Sequence, residues 1–215
     1  GSPRRRELVR ALDLNVQLMD SPGDETPRVP GETPRDFVVR QSLDKARAAA
    51  DGIADAVIIG ADTTVALDGR LLGKPADKAE ATDMLRALRA REHTVLTGVT
   101  VLDSGSGRRL STSKATTVLM REYSDDELEA YVASGEPMDK AGAYAVQDET
   151  FRPAQKVEGC YLNVVGFPLC EVVRLLADMG VRADLRRDWE VPAQCRDCTL
   201  RDIGAPVTSC KSKDS

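Results

Sequence analysis

The sequence lacks several features that would place it in a common class of protein. None of its apolar runs approaches the roughly 18 residues that span a bilayer, and no secretory signal peptide is recognisable. Its formal net charge of −5 argues against a general binder of nucleic acids or membrane surfaces. Five unevenly spaced cysteines do not suggest a disulfide framework. These absences predict a cytoplasmic protein that binds neither nucleic acid nor membranes.

The chain also has no Walker-type phosphate loop and no dinucleotide fingerprint, which removes the commoner nucleotide-binding folds. The composition does not exclude a small phosphate site, because local basic residues can coexist with a net acidic surface.

The 215 residues are enough for one domain with a tail. We expect a domain over residues 1–181 and an appendage over 182–215, where the composition changes and Cys195, Cys198 and Cys210 occur. Three thiols fall short of the four ligands of a usual structural zinc site. A flexible tail with free thiols is therefore expected, and a zinc-binding module is the alternative.

Helical patterns begin at Ser2-Pro3 and cover about 33–50, 77–90, 124–135 and 168–180. A hairpin is expected around Asp68-Gly69, and a second over 93–104 and 108–120. Further strands are expected over 141–147 and near 155–159. This mixture predicts an α/β or α+β fold with a mixed sheet.

The segment AVIIGADTTV, residues 56–65, is an apolar β-branched run that ends in Gly60-Ala61-Asp62. We expect a buried strand with Asp62 at its carboxyl end, where open α/β sheets bind ligands. A desolvated carboxylate needs a partner, for which a divalent metal or a lysine is suited. An aspartate that only caps a turn is the alternative.

Charged residues stand among Gly, Pro and Ala in four clusters. The first is SPRR, where a helix start with Arg4 and Arg5 offers donors to phosphate oxygens, together with Ser2. The others are Asp62-Thr63, Lys74 in GKP, and DKAGAYAVQ with Lys140 and Gln147. Lys45 borders the apolar stripe of its helix. Arg and Lys around an acidic residue suit a polyphosphate with a divalent ion.

The order SPRR, Asp24-Glu25, LDKA, GADTTV, GKP, HTVLTGV, GEPMDKAGAYAVQ and NVVGFPL resembles the Maf family of nucleoside triphosphate pyrophosphatases, from Gly1 to about Val181. The resemblance implies an α/β fold with a mixed twisted sheet flanked by helices, and two lobes around a cleft. It implies a homodimer that hydrolyses nucleoside triphosphates to the monophosphate and pyrophosphate with a divalent cation, Mg or Mn.

The resemblance also implies roles for particular residues. Asp62 falls on the family's proton acceptor, and holding the metal is the alternative role for this carboxylate. Glu25 falls on the acidic position near the metal. Three cations fall on phosphate positions: Arg5, Lys45 and Lys74. Three further residues match the specificity positions of the subgroup that acts on dTTP and UTP: Arg4, Thr63 and Gln147.

The family places an apolar strand before SPRR, so we expect the domain to lack its first strand. The alternative to an active enzyme is a catalytically weakened nucleotide-binding protein linked to cell-division control.

Overall fold

The computed structural model describes residues 2–19, 26–195 and 198. Its helices are α1 (Pro3–Val9), α2 (Pro34–Ala50), α3 (Lys78–Leu88), α4 (Asp125–Ala133), α5 (Tyr161–Val165) and α6 (Leu169–Asp178). Its strands are β1 (Val57–Leu67), β2 (Arg70–Leu72), β3 (Glu92–Asp103), β4 (Arg109–Met120) and β5 (Ala154–Glu158). Short 3-10 helices cover Glu136–Asp139, Ala141–Ala143 and Ala193–Cys195. None of the helices in this described part is long and apolar enough to cross a membrane.

The five strands form one sheet in the order β2-β1-β3-β4-β5. The α/β class is confirmed, but every pairing in this sheet is antiparallel, where a mixed sheet was expected. The reason is that hairpins join β1 to β2 and β3 to β4. After β2 the chain passes through α3 to the other side of β1. There β3 pairs with β1, also in the antiparallel direction.

Helix α2 lies directly on the sheet because two glycines leave room for its backbone. A Cβ built on Gly60 would lie 2.2 Å from the Ser42 carbonyl oxygen, and one on Gly98 would lie 2.1 Å from that of Val38. The Ser42 hydroxyl hydrogen-bonds to the Thr100 hydroxyl at 2.8 Å, which fixes the helix along its axis. This close approach determines where the side chains of α2 meet β1.

Two large apolar clusters pack around the sheet. One joins α1, α5 and α6 to the middle of β3. The other joins α3 and α4 to β4 and to the last part of β1. Ala61 belongs to the first cluster and Val65 to the second, so residues 62–64 of β1 lie where the two clusters meet.

Most of the predicted elements are confirmed, with two corrections. The strand expected over 141–147 is wrong: Ala141–Ala143 is a 3-10 helix, and Gly142 has a φ of +70°, which a regular strand does not contain. Asp62 is not at a strand end. The hydroxyl and apolar residues that follow it continue the pairing with β3, so β1 runs on to Leu67.

The segment after Val181 packs back onto the domain. The Leu185 backbone forms an isolated antiparallel bridge with Leu12, and the Arg186 N–H donates to the Ala11 carbonyl at 2.8 Å. Cys195 is only 2% exposed and belongs to the first apolar cluster. As far as Cys195 the segment thus packs on the domain, where a flexible tail was expected, because its apolar side chains join the first apolar cluster. Cys210 lies outside the described residues.

Candidate active site

A cavity of about 1020 Å³ lies beside the open edge of β1. Within the described chain, β2 covers only residues 65–67 of β1, so the preceding residues have no second neighbouring strand on that side. Residues from α1, α2, β1 and the loops around them line the cavity. Its volume is at the upper end of the range for small-molecule sites.

The structure brings eight of the ten sequence-predicted site residues to this cavity: Ser2, Arg4, Arg5, Lys45, Asp62, Thr63, Lys74 and Lys140. The other two are not placed there. Gln147 lies in an exposed turn and is not among the lining residues, while Glu25 falls outside the described residues. The cavity therefore collects residues from clusters that are far apart in sequence.

Asp62 is the most deeply buried of these charged groups, with 3% of its surface exposed. It pairs with Gly98 of β3, and Lys45 of α2 donates a hydrogen bond to its Oδ1. The contact follows from the fold, because the glycines beneath α2 allow the helix to bring Lys45 over this face of the sheet. A buried carboxylate without a partner would cost several kcal/mol. Lys45 supplies that partner, which is one of the two that were expected, a divalent metal or a lysine.

Arg5 anchors α1 to the edge of β1. Its Nε donates to the Gly166 carbonyl, one terminal nitrogen to the Ala61 carbonyl and the other to Thr63 Oγ1, all at 2.8 Å. Thr63 Oγ1 also lies 2.9 Å from Thr97 Oγ1. The planar guanidinium suits such a fan of acceptors. Arg5 therefore holds three segments together at the wall of the cavity.

A second wall joins the GKP and DKAGA clusters. The Gly142 N–H donates to the Gly73 carbonyl at 3.0 Å, and a Cβ on Gly142 would lie 2.8 Å from Val65 Cγ2. The glycine is required here both by its positive φ and by this close approach. Lys74 follows Gly73, is exposed, and makes no hydrogen bond or ion pair with the rest of the described chain.

Lys140, in contrast, is 7% exposed and forms hydrogen bonds with neighbouring residues. Its Nζ lies 2.6 Å from Asp139 Oδ1 and also donates to the Glu136 carbonyl. Burial opposes ionisation of Asp139. The hydrogen bond from Lys140 and the nearby charges of Lys140 and Arg4 outweigh that burial, so the pKa of Asp139 lies below its ordinary value.

Sequence reasoning missed two prominent lining residues, Arg28 and Tyr144. Arg28 Nε donates to the Glu32 carbonyl at 2.7 Å, and one of its terminal nitrogens lies 3.3 Å from the Gly69 carbonyl, so it spans from the 26–33 loop to the β1–β2 turn. The Tyr144 hydroxyl lies 2.6 Å from Nε2 of the buried His93. A loop arginine and a buried tyrosine carry no pattern that marks them in a sequence.

Six basic and two acidic side chains line the cavity, so it favours an anionic ligand. No group of three or more His, Cys, Asp or Glu side chains in the described part of the chain is arranged to hold a metal. A magnesium ion at a phosphate site, however, needs only one or two carboxylates in addition to phosphate oxygens. Asp62 fits that donor set. The arrangement can hold a polyphosphate and place one buried carboxylate beside it.

Comparison with known proteins identifies relatives of this chain. Proteins named dTTP/UTP pyrophosphatase are similar to this chain, among them one from Pelotomaculum thermopropionicum (46% identity over 84% of this chain and 94% of the relative). Others come from Syntrophus aciditrophicus (45%; 84% and 87%) and Dehalococcoides mccartyi (39%; 93% and 89%). A family profile described as Maf-like protein matches residues 1–179. The chain belongs to the Maf-like protein family.

Proposed function

We propose that this chain is a nucleoside triphosphate pyrophosphatase that hydrolyses dTTP, UTP or modified pyrimidine triphosphates to the monophosphate and pyrophosphate. It would remove such nucleotides from the cellular pool. One observation carries the proposal: a buried carboxylate, Asp62, lies in a cavity where basic side chains outnumber acidic ones by six to two. The names of the relatives support the choice of substrates.

The cations of the cavity supply the electrostatic part of the proposed reaction. Cleavage between the α- and β-phosphates develops negative charge on the pyrophosphate that leaves. Lys74 has no protein partner among the described residues, so its ammonium group can bind that pyrophosphate. Lys45 can exchange its contact with Asp62 for a phosphate oxygen when the nucleotide binds.

Asp62 is the proposed proton acceptor for the water that attacks the α-phosphorus. A carboxylate inside the sheet, held by α2, has little freedom to turn away from that water. Holding the metal is the alternative role, with Glu25 as a second proposed ligand. When bound, a divalent cation such as Mg or Mn would offset phosphate charge and lower the pKa of a coordinated water.

Arg4, Thr63 and Gln147 are the proposed specificity residues, and Ser2 and Lys140 are proposed substrate contacts. Thr63 and Lys140 also make hydrogen bonds within the protein, which hold their side chains at the wall of the cavity. Gln147 has the amide donor and acceptor that a uracil or thymine edge requires. If Gln147→Glu leaves the preference between UTP and CTP unchanged, Gln147 does not read the base.

The decisive experiment measures pyrophosphate release from dTTP, UTP, dATP and dGTP with Mg²⁺ or Mn²⁺. We expect turnover of the pyrimidine nucleotides and a loss of about 10²–10⁴-fold in kcat for Asp62→Asn. Asp139→Asn is the matched control, because Asp139 also lines the cavity but pairs with Lys140. It should retain far more activity. A folded wild-type protein without turnover on any of these nucleotides contradicts the proposal.

The same family membership supports a homodimer, which light scattering coupled to gel filtration would test. We also propose a cytoplasmic location, where nucleoside triphosphates are found, and no binding to nucleic acid or membranes, consistent with the net charge of −5. The domain boundary near Val181 is likewise a proposal, supported by the end of the family match at residue 179.

A further inference from the structure

The fold gathers four cysteines on the side of the domain formed by α5, α6 and the segment after Val181. Cys160 precedes α5, and Cys170 lies in the first turn of α6. Cys195 ends the last 3-10 helix, and Cys198 follows it in a Cys-x-x-Cys spacing. All four pack in or against the first apolar cluster. Four of the five cysteines of the chain thus come together from three separate segments.

Within this group, Cys170 and Cys198 are in direct contact. Their sulfur atoms are 3.7 Å apart, and both residues are partly exposed. A disulfide has a sulfur–sulfur distance of about 2.05 Å, so the two atoms need to approach by roughly 1.7 Å. Small side-chain rotations can supply a displacement of that size.

The other two thiols of the group, those of Cys160 and Cys195, are poorly suited to forming a disulfide. Burial raises the pKa of Cys160 to about 11 and that of Cys195 to about 12, so both stay protonated near neutral pH. The thiolate is the form that attacks a disulfide. The reactive pair is therefore Cys170 and Cys198, whose sulfur atoms are in contact. No metal-binding arrangement of the thiols is present in the described part of the chain.

We propose that Cys170 and Cys198 form a reversible disulfide that fastens the segment after Val181 to helix α6. With glutathione disulfide as oxidant, one of the two thiolates attacks it and releases one glutathione. The other cysteine then attacks the protein sulfur of that mixed disulfide and displaces the second glutathione. Two protein thiols are oxidised to one disulfide, and one glutathione disulfide is reduced to two glutathiones.

The disulfide would also affect α1, because the segment after Val181 that it holds in place contacts the chain just beyond this helix. Leu185 bridges to Leu12 just beyond α1, and the Arg186 N–H bonds to Ala11. Helix α1 carries Arg4 and Arg5 to the cavity. A cross-link between residues 170 and 198 limits how far residues 182–195 can move away from this surface. It therefore stabilises the position of α1 against local opening.

The test uses the full chain in glutathione buffers that range from fully reduced to fully oxidised. Free thiols are blocked with N-ethylmaleimide before mass spectrometry. We expect the blocked oxidised protein to carry two fewer maleimide adducts than the blocked reduced protein, and to yield one cross-linked peptide pair that contains Cys170 and Cys198. Cys170→Ser and Cys198→Ser should each abolish the cross-link, whereas Cys210→Ser, the matched control, should leave it unchanged.

Hydrogen exchange gives a second readout that does not depend on these variants. The Arg186 amide should exchange about tenfold more slowly in the oxidised wild-type protein than in the reduced one. A cross-link between any other pair, glutathione adducts without a cross-link, or unchanged exchange at Arg186 would overturn the proposal. So would one equivalent of zinc bound by the reduced protein and released when its thiols are blocked, because the group would then be a metal site.

Discussion

The close approach of α2 to the sheet leads to a strong prediction for Gly98→Ala. The added Cβ would lie 2.1 Å from the Val38 oxygen, 2.4 Å from the Val38 carbonyl carbon and 2.8 Å from the Val39 nitrogen. These are all backbone atoms, so no side chain can rotate to make room. Because ordinary contacts begin near 3.5 Å, the helix must withdraw by roughly 1.4 Å.

Overpacking of this kind costs typically 1–3 kcal/mol, and a backbone obstacle places Gly98→Ala near the upper end, about 3 kcal/mol. For a chain of this size, that lowers Tm by roughly 6–12 °C. Turnover should fall as well, because α2 carries Lys45 away from Asp62.

Thermal unfolding and pyrophosphate release measure the two effects. Gly73→Ala is the control for stability, because nothing lies within 4 Å of its added Cβ and its φ is not positive. Its Tm should match that of the wild type. If Gly98→Ala also unfolds within about 2 °C of the wild type, the helix does not rest on the sheet as described.

Two further predictions concern a buried and an exposed residue. Burial lowers the pKa of His93 from 6.5 to about 4, so the unfolded chain binds more protons between these values. The stability that His93 contributes is complete above pH 6.5 and is lost as the pH falls towards 4, by up to about 3 kcal/mol. Urea unfolding at pH 7 and pH 5 should show a smaller drop for His93→Gln than for the wild type, and equal drops would refute this assignment. Lys74→Met should raise the KM for dTTP about tenfold with no change in Tm, because Lys74 lines the cavity without a protein partner in the described structure. An unchanged KM would argue against a phosphate contact.

The sequence carried enough information to locate most of the cavity. Periodic apolar residues predicted α2 and α3, and the β-branched runs predicted the β3–β4 hairpin. The clusters around Arg5, Asp62 and Lys74 were recognisable because charge stood among small residues, and the structure brings all three to one cavity.

What escaped prediction depends on contacts between distant segments. The length of β1 beyond Asp62 follows from its pairing with β3, which single-strand periodicity does not report. The 3-10 helix at Ala141–Ala143 forms because Gly142 packs on Val65 and bonds to Gly73, so tertiary packing overrides the local pattern. The docking of the segment around Cys195 depends in the same way on an apolar surface that only the assembled domain offers.

Side chains alternate between the two faces of β1, and this determines which substitutions affect Asp62 and which affect Thr63. Asp62 and Thr63 are adjacent, but they point to opposite faces of the strand and rely on different neighbours. The carboxylate depends on α2, whereas the hydroxyl depends on Arg5 and Thr97. Substitutions around Thr63 can therefore reshape one wall of the cavity while the support of Asp62 is preserved. Ligand preference and chemistry can diverge independently in such a protein, even though their residues are neighbours in the chain.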